Sequence, residues 1–205
     1  MLSEIAVRNC EYKIDMSNVW LDSVIRRFQR IPNNPTEKDY YAPFDKLLNS
    51  EFDTHDKYTV APQSFPISSS YKSIDFYIEY QIQLEDKPIL IIEIKIENKL
   101  KSLSSRKEAD SQIRQRLVDI YEECPLNKLY GISFFGTYYS IYYLDKGTMK
   151  IYPDAINDDI NKIIDVAPVE NWNKNIMNTQ DAIKLKNIFT KIIDDCELYT
   201  ANNHQ

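Results

Sequence analysis

The chain has 205 residues, 43% of them hydrophobic and 27% charged, with a formal net charge of −6. That suits one folded domain and is too apolar for a disordered chain. Its three glycines (Gly131, Gly136 and Gly147) are too few and too dispersed for a dinucleotide loop, a P-loop or a nucleophile elbow. No apolar run approaches the roughly 20 residues needed to cross a bilayer, so no membrane association is expected.

Cys10, Cys124 and Cys196 show neither zinc spacing nor a disulfide framework, which favours a reducing, intracellular location (cytoplasmic or nuclear). Met1 to Glu4 lacks the basic and apolar pattern of a secretory signal. The histidines are His55 and His204 alone, so acid–base chemistry here would rest on carboxylates and lysine. The net negative charge opposes nucleic-acid binding in bulk. It is unevenly spread: residues 93 to 116 carry seven bases against four acids, and residues 154 to 205 carry nine acids against five lysines.

In chain order, Val19, Trp20, Val24 and Phe28 recur at helical spacing, with Arg26, Arg27 and Arg30 beside them. The segment 31–35, with Pro32 and Pro35, is a break. Thr36 then caps a helix carrying Glu37, Tyr41, Phe44 and Leu48, and Pro43 allows it to be one helix or two short ones. Residues 58 to 67 read as extended. Residues 73 to 84 alternate, with Ile74, Phe76, Ile78, Tyr80 and Ile82 on one side and Asp75, Tyr77, Glu79 and Gln81 on the other. After a turn at Glu85 to Pro88, residues 89 to 97 form a second strand. Ile92, Ile94 and Ile96 face one way; Glu93, Lys95 and Glu97 face the other. The apolar run from Pro88 to Ile92 predicts a central strand buried on both faces.

Ser105 and Glu108 fit a capping box for a helix burying Ala109, Ile113, Leu117 and Ile120. Residues 128–136, 138–145 and 149–152 are predicted strands, whose aromatic run (Phe134, Phe135, Tyr138, Tyr139, Tyr142, Tyr143) is expected to pack the sheet. Residues 154 onward are predicted helical, with a polar loop at 168–178 and a last helix from about 180 to 198. Asp158-Asp159 and Asp194-Asp195 are read as surface charge, because adjacent residues of a helix do not face together.

Asp75, Glu93 and Lys95 stand out. Glu93 and Lys95 are two apart and share a strand face, and a short turn brings the strand of Asp75 alongside. Neighbouring carboxylates repel, and a divalent cation resolves that repulsion. Mg²⁺ favours one or two carboxylates with water and phosphate oxygens. A lysine beside it can orient an attacking water or stabilise developing charge. The plain alternative is a solvated Glu-x-Lys on an ordinary strand.

Asp75 on one strand, followed by Glu93-Ile94-Lys95 on the next, resembles the PD-(D/E)XK nuclease superfamily, with its restriction-endonuclease-like fold, over roughly residues 36 to 145. Ile74 stands where the name-giving motif has proline. The resemblance implies a single α/β domain over 1–205: a mixed β-sheet flanked by helices, with a core of about 36–153 and a helical C-terminal segment at 154–205. It implies a Mg²⁺- or Mn²⁺-dependent nuclease acting on DNA, or less readily RNA. Asp75 and Glu93 would bind metal, and Glu37 would join them, with Asp45 as its fallback. Lys95 would position the water, and Gln112 and Arg116 would support Lys95 or the phosphate. Lys99, Lys101, Arg106 and Lys107 are candidate phosphate contacts, with an exposed loop as the alternative. A homodimer is left open. The rival reading is a non-catalytic module of the same fold that docks a partner protein through its acidic C-terminal segment. A third is a phosphoesterase acting on small molecules.

Overall fold

The computed structural model describes residues 19–52, 57–65, 77–157 and 164–203, with backbone alone for 63–65 and 77–78. Asp75, Cys10, His55, His204 and the Asp158-Asp159 pair lie outside the described residues.

Helix α1 (Asp22–Phe28) and helix α2 (Lys38–Glu51) come first. Pro43 does not divide α2: it sits inside one continuous helix and is buried with Tyr40, Phe44, Leu47 and Leu48. Its ring costs one hydrogen bond near the helix start. Asp39 anchors that start, since its carboxylate accepts from the Thr36 backbone N–H at 2.8 Å and the Thr36 hydroxyl at 3.0 Å. Strands β1 (Tyr58–Phe65), β2 (Tyr77–Leu84) and β3 (Lys87–Lys95) form an antiparallel meander. Glu85 and Asp86 turn between β2 and β3 with φ of 50° and 64°, the left-handed pair of a two-residue hairpin.

A 3₁₀ turn (Glu97–Lys101) leads into α3 (Leu103–Ile120). The cap lies three residues earlier than the capping-box reading placed it: Ser102 Oγ accepts from Ser105 N–H at 3.4 Å. The helix buries Ala109, Ile113, Leu117 and Ile120, as their spacing predicts. It crosses over to β4 (Lys128–Phe135), which runs parallel to β3. Strand β5 (Tyr138–Asp145) returns antiparallel and pairs along its outer edge with the short β6 (Lys150–Tyr152) and β7 (Lys174–Asn175). Residues 154–157 are not helical; the helix of this region is α4 (Thr179–Asn203), preceded by a 3₁₀ turn at Val169–Trp172.

Among the described residues the architecture is therefore mixed α/β: a seven-stranded mixed sheet, in the order β1-β2-β3-β4-β5-β6 with β7 beside β5, and four helices. Strand β3 is central and buried from Pro88 to Lys95. Opposite parities of each strand feed two layers. Ile92, Ile94, Ile132, Phe134 and Tyr139 meet the layer of α1, α2 and α4. Phe44 packs edge-on to Phe134 at 4.7 Å, Phe52 on Phe189 at 5.4 Å, and the Tyr139 hydroxyl donates to the Asp181 carbonyl at 2.6 Å. The other face meets α3. Gly131 admits that helix, because a Cβ there would stand 3.0 Å from the Ile113 side chain. Among the described residues no helix is long and apolar enough to cross a membrane.

Gly136 closes the end of the sheet near Lys95. Its N–H donates to the Lys95 carbonyl at 2.8 Å, its φ is +61°, and a Cβ would stand 2.7 Å from Glu97 Cβ and 2.9 Å from the Tyr40 hydroxyl. Gly136→Ala combines a left-handed backbone with a clash and should cost about 1–3 kcal/mol, seen as a lower midpoint in urea unfolding at unchanged slope.

Candidate functional site

The β2–β3 hairpin and α3 assemble the site. From the turn, simple pairing runs Leu84↔Lys87 and Gln83↔Pro88, but the register shifts by one between Gln83 and Ile82, and beyond it Glu79 stands opposite Glu93. Directly opposed residues of an antiparallel pair have Cβ atoms about 5 Å apart. The same row continues across the sheet: Glu93 is level with Ser133, Ser133 with Ser140, and Glu79 with Gln63. All the buried polar residues described, Arg106 apart, lie on this α3-facing side: Glu79, Gln81, Glu93, Lys95, Ser133 and Ser140.

Helix α3 lays a matching polar stripe on them. Glu108, Gln112 and Arg116 recur every four residues and so share one helix face. Arg116 donates to Glu79 Oε1 through Nε and Nη2, both at 3.1 Å, and Gln81 donates to the same oxygen at 3.1 Å. Lys95 Nζ lies 3.8 Å from Glu108 Oε1, which also accepts from Gln112 at 3.1 Å. Further along the row, Trp172 Nε1 donates to Ser133 Oγ at 3.2 Å.

The burial is severe. Glu79 is 0% exposed, Glu93 2% and Lys95 6%. Removing a carboxylate from water disfavours its charged form. Burial pushes the Glu93 carboxyl up to about 8; Lys95 and Arg116 oppose the rise, and Glu79 and Glu108 add to it. Glu93 is therefore largely protonated at neutral pH, while Arg116 serves Glu79.

Three buried side-chain oxygens among the described residues have no hydrogen-bond partner: Glu79 Oε2, Glu93 Oε2 and Gln112 Oε1. Buried acceptors are normally satisfied. These three lie on one hairpin and the helix packed on it, and carboxylate and amide oxygens are the ligand types a hard cation takes. Among the described residues no group of three or more His, Cys, Asp and Glu side chains is arranged to hold a metal; the set here is two carboxylates and an amide.

The other residues singled out from sequence fall elsewhere. Glu37 precedes α2 near Tyr40, and no contact joins it to Glu79 or Glu93; Asp45 bonds Asn49 at 3.2 Å. Arg106 is buried and braces the fold, donating to the Ala167 carbonyl at 2.7 Å, the Leu100 carbonyl at 2.9 Å and Asp165 at 2.7 Å. A guanidinium so engaged ties α3 to the C-terminal segment. Lys101 is exposed on the 3₁₀ turn, with Lys99 and Lys107 half-buried nearby. Sequence reasoning missed Glu79 and Glu108. The signal for Glu79 was its place on the same strand face as Asp75; the one-residue register shift, which brings it level with Glu93, was not visible.

Two expectations follow. Arg116→Met strands a fully buried carboxylate and should cost about 3 kcal/mol, the lower end for breaking a buried pair. Adding Glu79→Gln should recover much of that loss, read by urea unfolding of the single and double variants. The Glu93 carboxyl keeps its proton in the folded state where the unfolded chain, at about 4.5, has lost it. Stability without metal should thus be highest at pH 4–5 and fall toward pH 8–9, by at most about 5 kcal/mol. Glu93→Gln should flatten that slope in melting curves recorded in EDTA.

No protein-family model, no curated protein and no solved structure matches the chain.

Proposed function

We propose that the chain is a divalent-cation-dependent nuclease of the restriction-endonuclease-like kind, hydrolysing phosphodiester bonds of DNA or RNA. The observation that carries this reading is the set of three unpartnered buried oxygens beside a lysine two residues beyond Glu93. An antiparallel hairpin, a crossover helix and a parallel return strand form a frame that supports the same reading. Glu79 and Glu93 would hold Mg²⁺ or Mn²⁺, with the Gln112 amide oxygen completing the protein's share. When bound, the ion would polarise the phosphate and acidify a coordinated water.

The chain's own residues supply the rest. Lys95, kept near Glu108, would orient the attacking water and stabilise negative charge growing on the phosphate oxygens. Glu108 would hold that ammonium on the site side of α3 through its second contact with Gln112. Arg116 would hold Glu79 in place through its Oε1 before the cation arrives. Asp75 remains a proposed second source of the first carboxylate, and substitution decides between it and Glu79.

Mg²⁺ or Mn²⁺ should raise the melting temperature in proportion to the logarithm of its concentration, and Glu93→Gln should abolish the shift. Glu79→Gln, Glu93→Gln and Lys95→Ala should each reduce plasmid or oligonucleotide cleavage by at least about 100-fold while the variants stay folded. If Asp75→Ala is as damaging as these and Glu79→Gln is not, the first ligand is Asp75. A second reading, a non-catalytic module docking a partner protein, draws on the Arg116–Glu79 pair and the Glu93 proton, which balance the site's charge without an ion. Absence of both a thermal shift and cleavage would select it.

A further inference from the structure

A concave feature lies apart from the carboxylate site. A cleft of about 470 Å³ opens between the α1–α2 connection, the 3₁₀ turn after β3 and the turn after β4. Its volume lies within the range of small-molecule sites. It stands at the carboxyl ends of the two parallel strands, through Glu97 and Asn98 after β3 and Thr137 after β4. Open α/β sheets commonly take ligands at such ends.

The lining selects a ligand class. Phe28, Tyr40, Pro32 and Pro35 give flat apolar walls. Asn33, Asn34 and Asn98 offer carboxamides, each with donors and an acceptor side by side, the pattern that matches the edge of a nucleobase. Glu97 and Lys101 are the charged members of the lining and offset one another. A phosphate would meet a carboxylate here, whereas a neutral heteroaromatic ring meets walls and amides. Basic groups stand outside: Arg27 and Arg30 are exposed near Phe28 and Ile31, whose side chains line the cleft. They suit a backbone passing over the rim.

The cleft also stands at the Lys95 end of β3. Glu97 follows Lys95 by two residues, so their Cα atoms are at most ~7 Å apart. Gly136 sets this corner, allowing the β4–β5 turn to press on Glu97 and the Tyr40 hydroxyl.

We propose that this cleft receives an unpaired nucleobase neighbouring the scissile phosphodiester, which makes single-stranded or frayed nucleic acid the substrate class. The proposal rests on the nuclease reading and deepens it. A base held in a duplex cannot enter such a cleft without leaving its stack.

The test uses the full chain with Asn33→Ala and Asn98→Ala combined, both exposed positions whose substitution leaves the core untouched. Fluorescence anisotropy in EDTA compares a labelled single strand of about 12 nucleotides, within the usual range of single-strand sites, with the blunt duplex of the same sequence. Wild type should prefer the single strand. The double variant should lose about fivefold or more for it, the low end of one base contact, with little change for the duplex. A single strand with one abasic nucleotide, scanned along its length, should weaken wild-type binding at one position and leave the variant unchanged there. Equal losses on both substrates, unchanged binding, or no wild-type preference would overturn the proposal. Cleavage with Mg²⁺ is scored separately. Asparagine-independent binding alongside intact cleavage refutes the cleft and keeps the nuclease. Asparagine-dependent single-strand binding without cleavage does the reverse.

Discussion

Two carboxylates opposed on neighbouring strands beneath a helix are the constraint around which this structure is arranged. Taking either from water is expensive, and placing them together multiplies the expense. The fold meets it with three devices drawn from different elements. Arg116 and Gln81 share one oxygen of Glu79, Lys95 lies along the strand from Glu93, and Glu93 retains its proton. The Arg116 contact needs close approach of α3, which a glycine at position 131 permits. A sheet that wanted stability alone would fill these positions with Val or Ile, as it does at Ile91, Ile92 and Ile94. The polar row is therefore an exception to the packing logic of its own strand, and such exceptions concentrate at functional sites.

Much of the frame was legible from residue order. The alternation of β2, the continuous apolar start of β3, the helical stripe of α3 and the aromatic strands β4 and β5 each follow from local periodicity. Features set by a single residue or by remote packing were not. From sequence, Asp75 reads as the first carboxylate; the alternation puts Glu79 on the same side but does not show that it stands against Glu93, which a hairpin in regular register cannot arrange. An extra residue in β3, at the shift between Ile82 and Gln83, does so. One residue of register exchanges the two faces of a strand, so the identity of a site residue can turn on a bulge. Ser102, not Ser105, caps α3 because the preceding 3₁₀ turn ends there. Arg106 reads as a surface base until Asp165 and the Ala167 carbonyl, some sixty residues away, engage it.

The charge distribution changes meaning once the fold is known. A net charge of −6 over the whole chain argues against polyanions. Yet several acids are matched within the molecule: Glu79 and Glu93 are buried in the polar row, Asp165 pairs with Arg106 at the surface, and Asp110 engages Arg114 and the Tyr142 hydroxyl. Arg27, Arg30 and Lys101, by contrast, stand exposed. With Arg26 beside them, and Asp22 and Glu97 exposed as well, the exposed charge near α1 and the 3₁₀ turn is net positive, and solvent-exposed groups beyond about 10 Å are screened in physiological salt.

On the proposed reading, the resting charge balance also shapes how the site would load. A cation entering beside Glu93 would favour its ionised form and release the proton that burial retains there. Binding would then be coupled to pH, tightening as pH rises toward the value at which the metal-free carboxyl ionises. Arg116 would have a double effect, holding one oxygen of Glu79 while adding positive charge where another cation must settle. Such a site would be nearly neutral at rest and strongly coordinating only when its ion and an anionic substrate arrive together, since the substrate's phosphate would supply negative charge and oxygens that two carboxylates and an amide leave short. Selectivity for a phosphate-bearing substrate would then arise inside the sheet, from the energetics of burying acids, as much as from any basic surface around it.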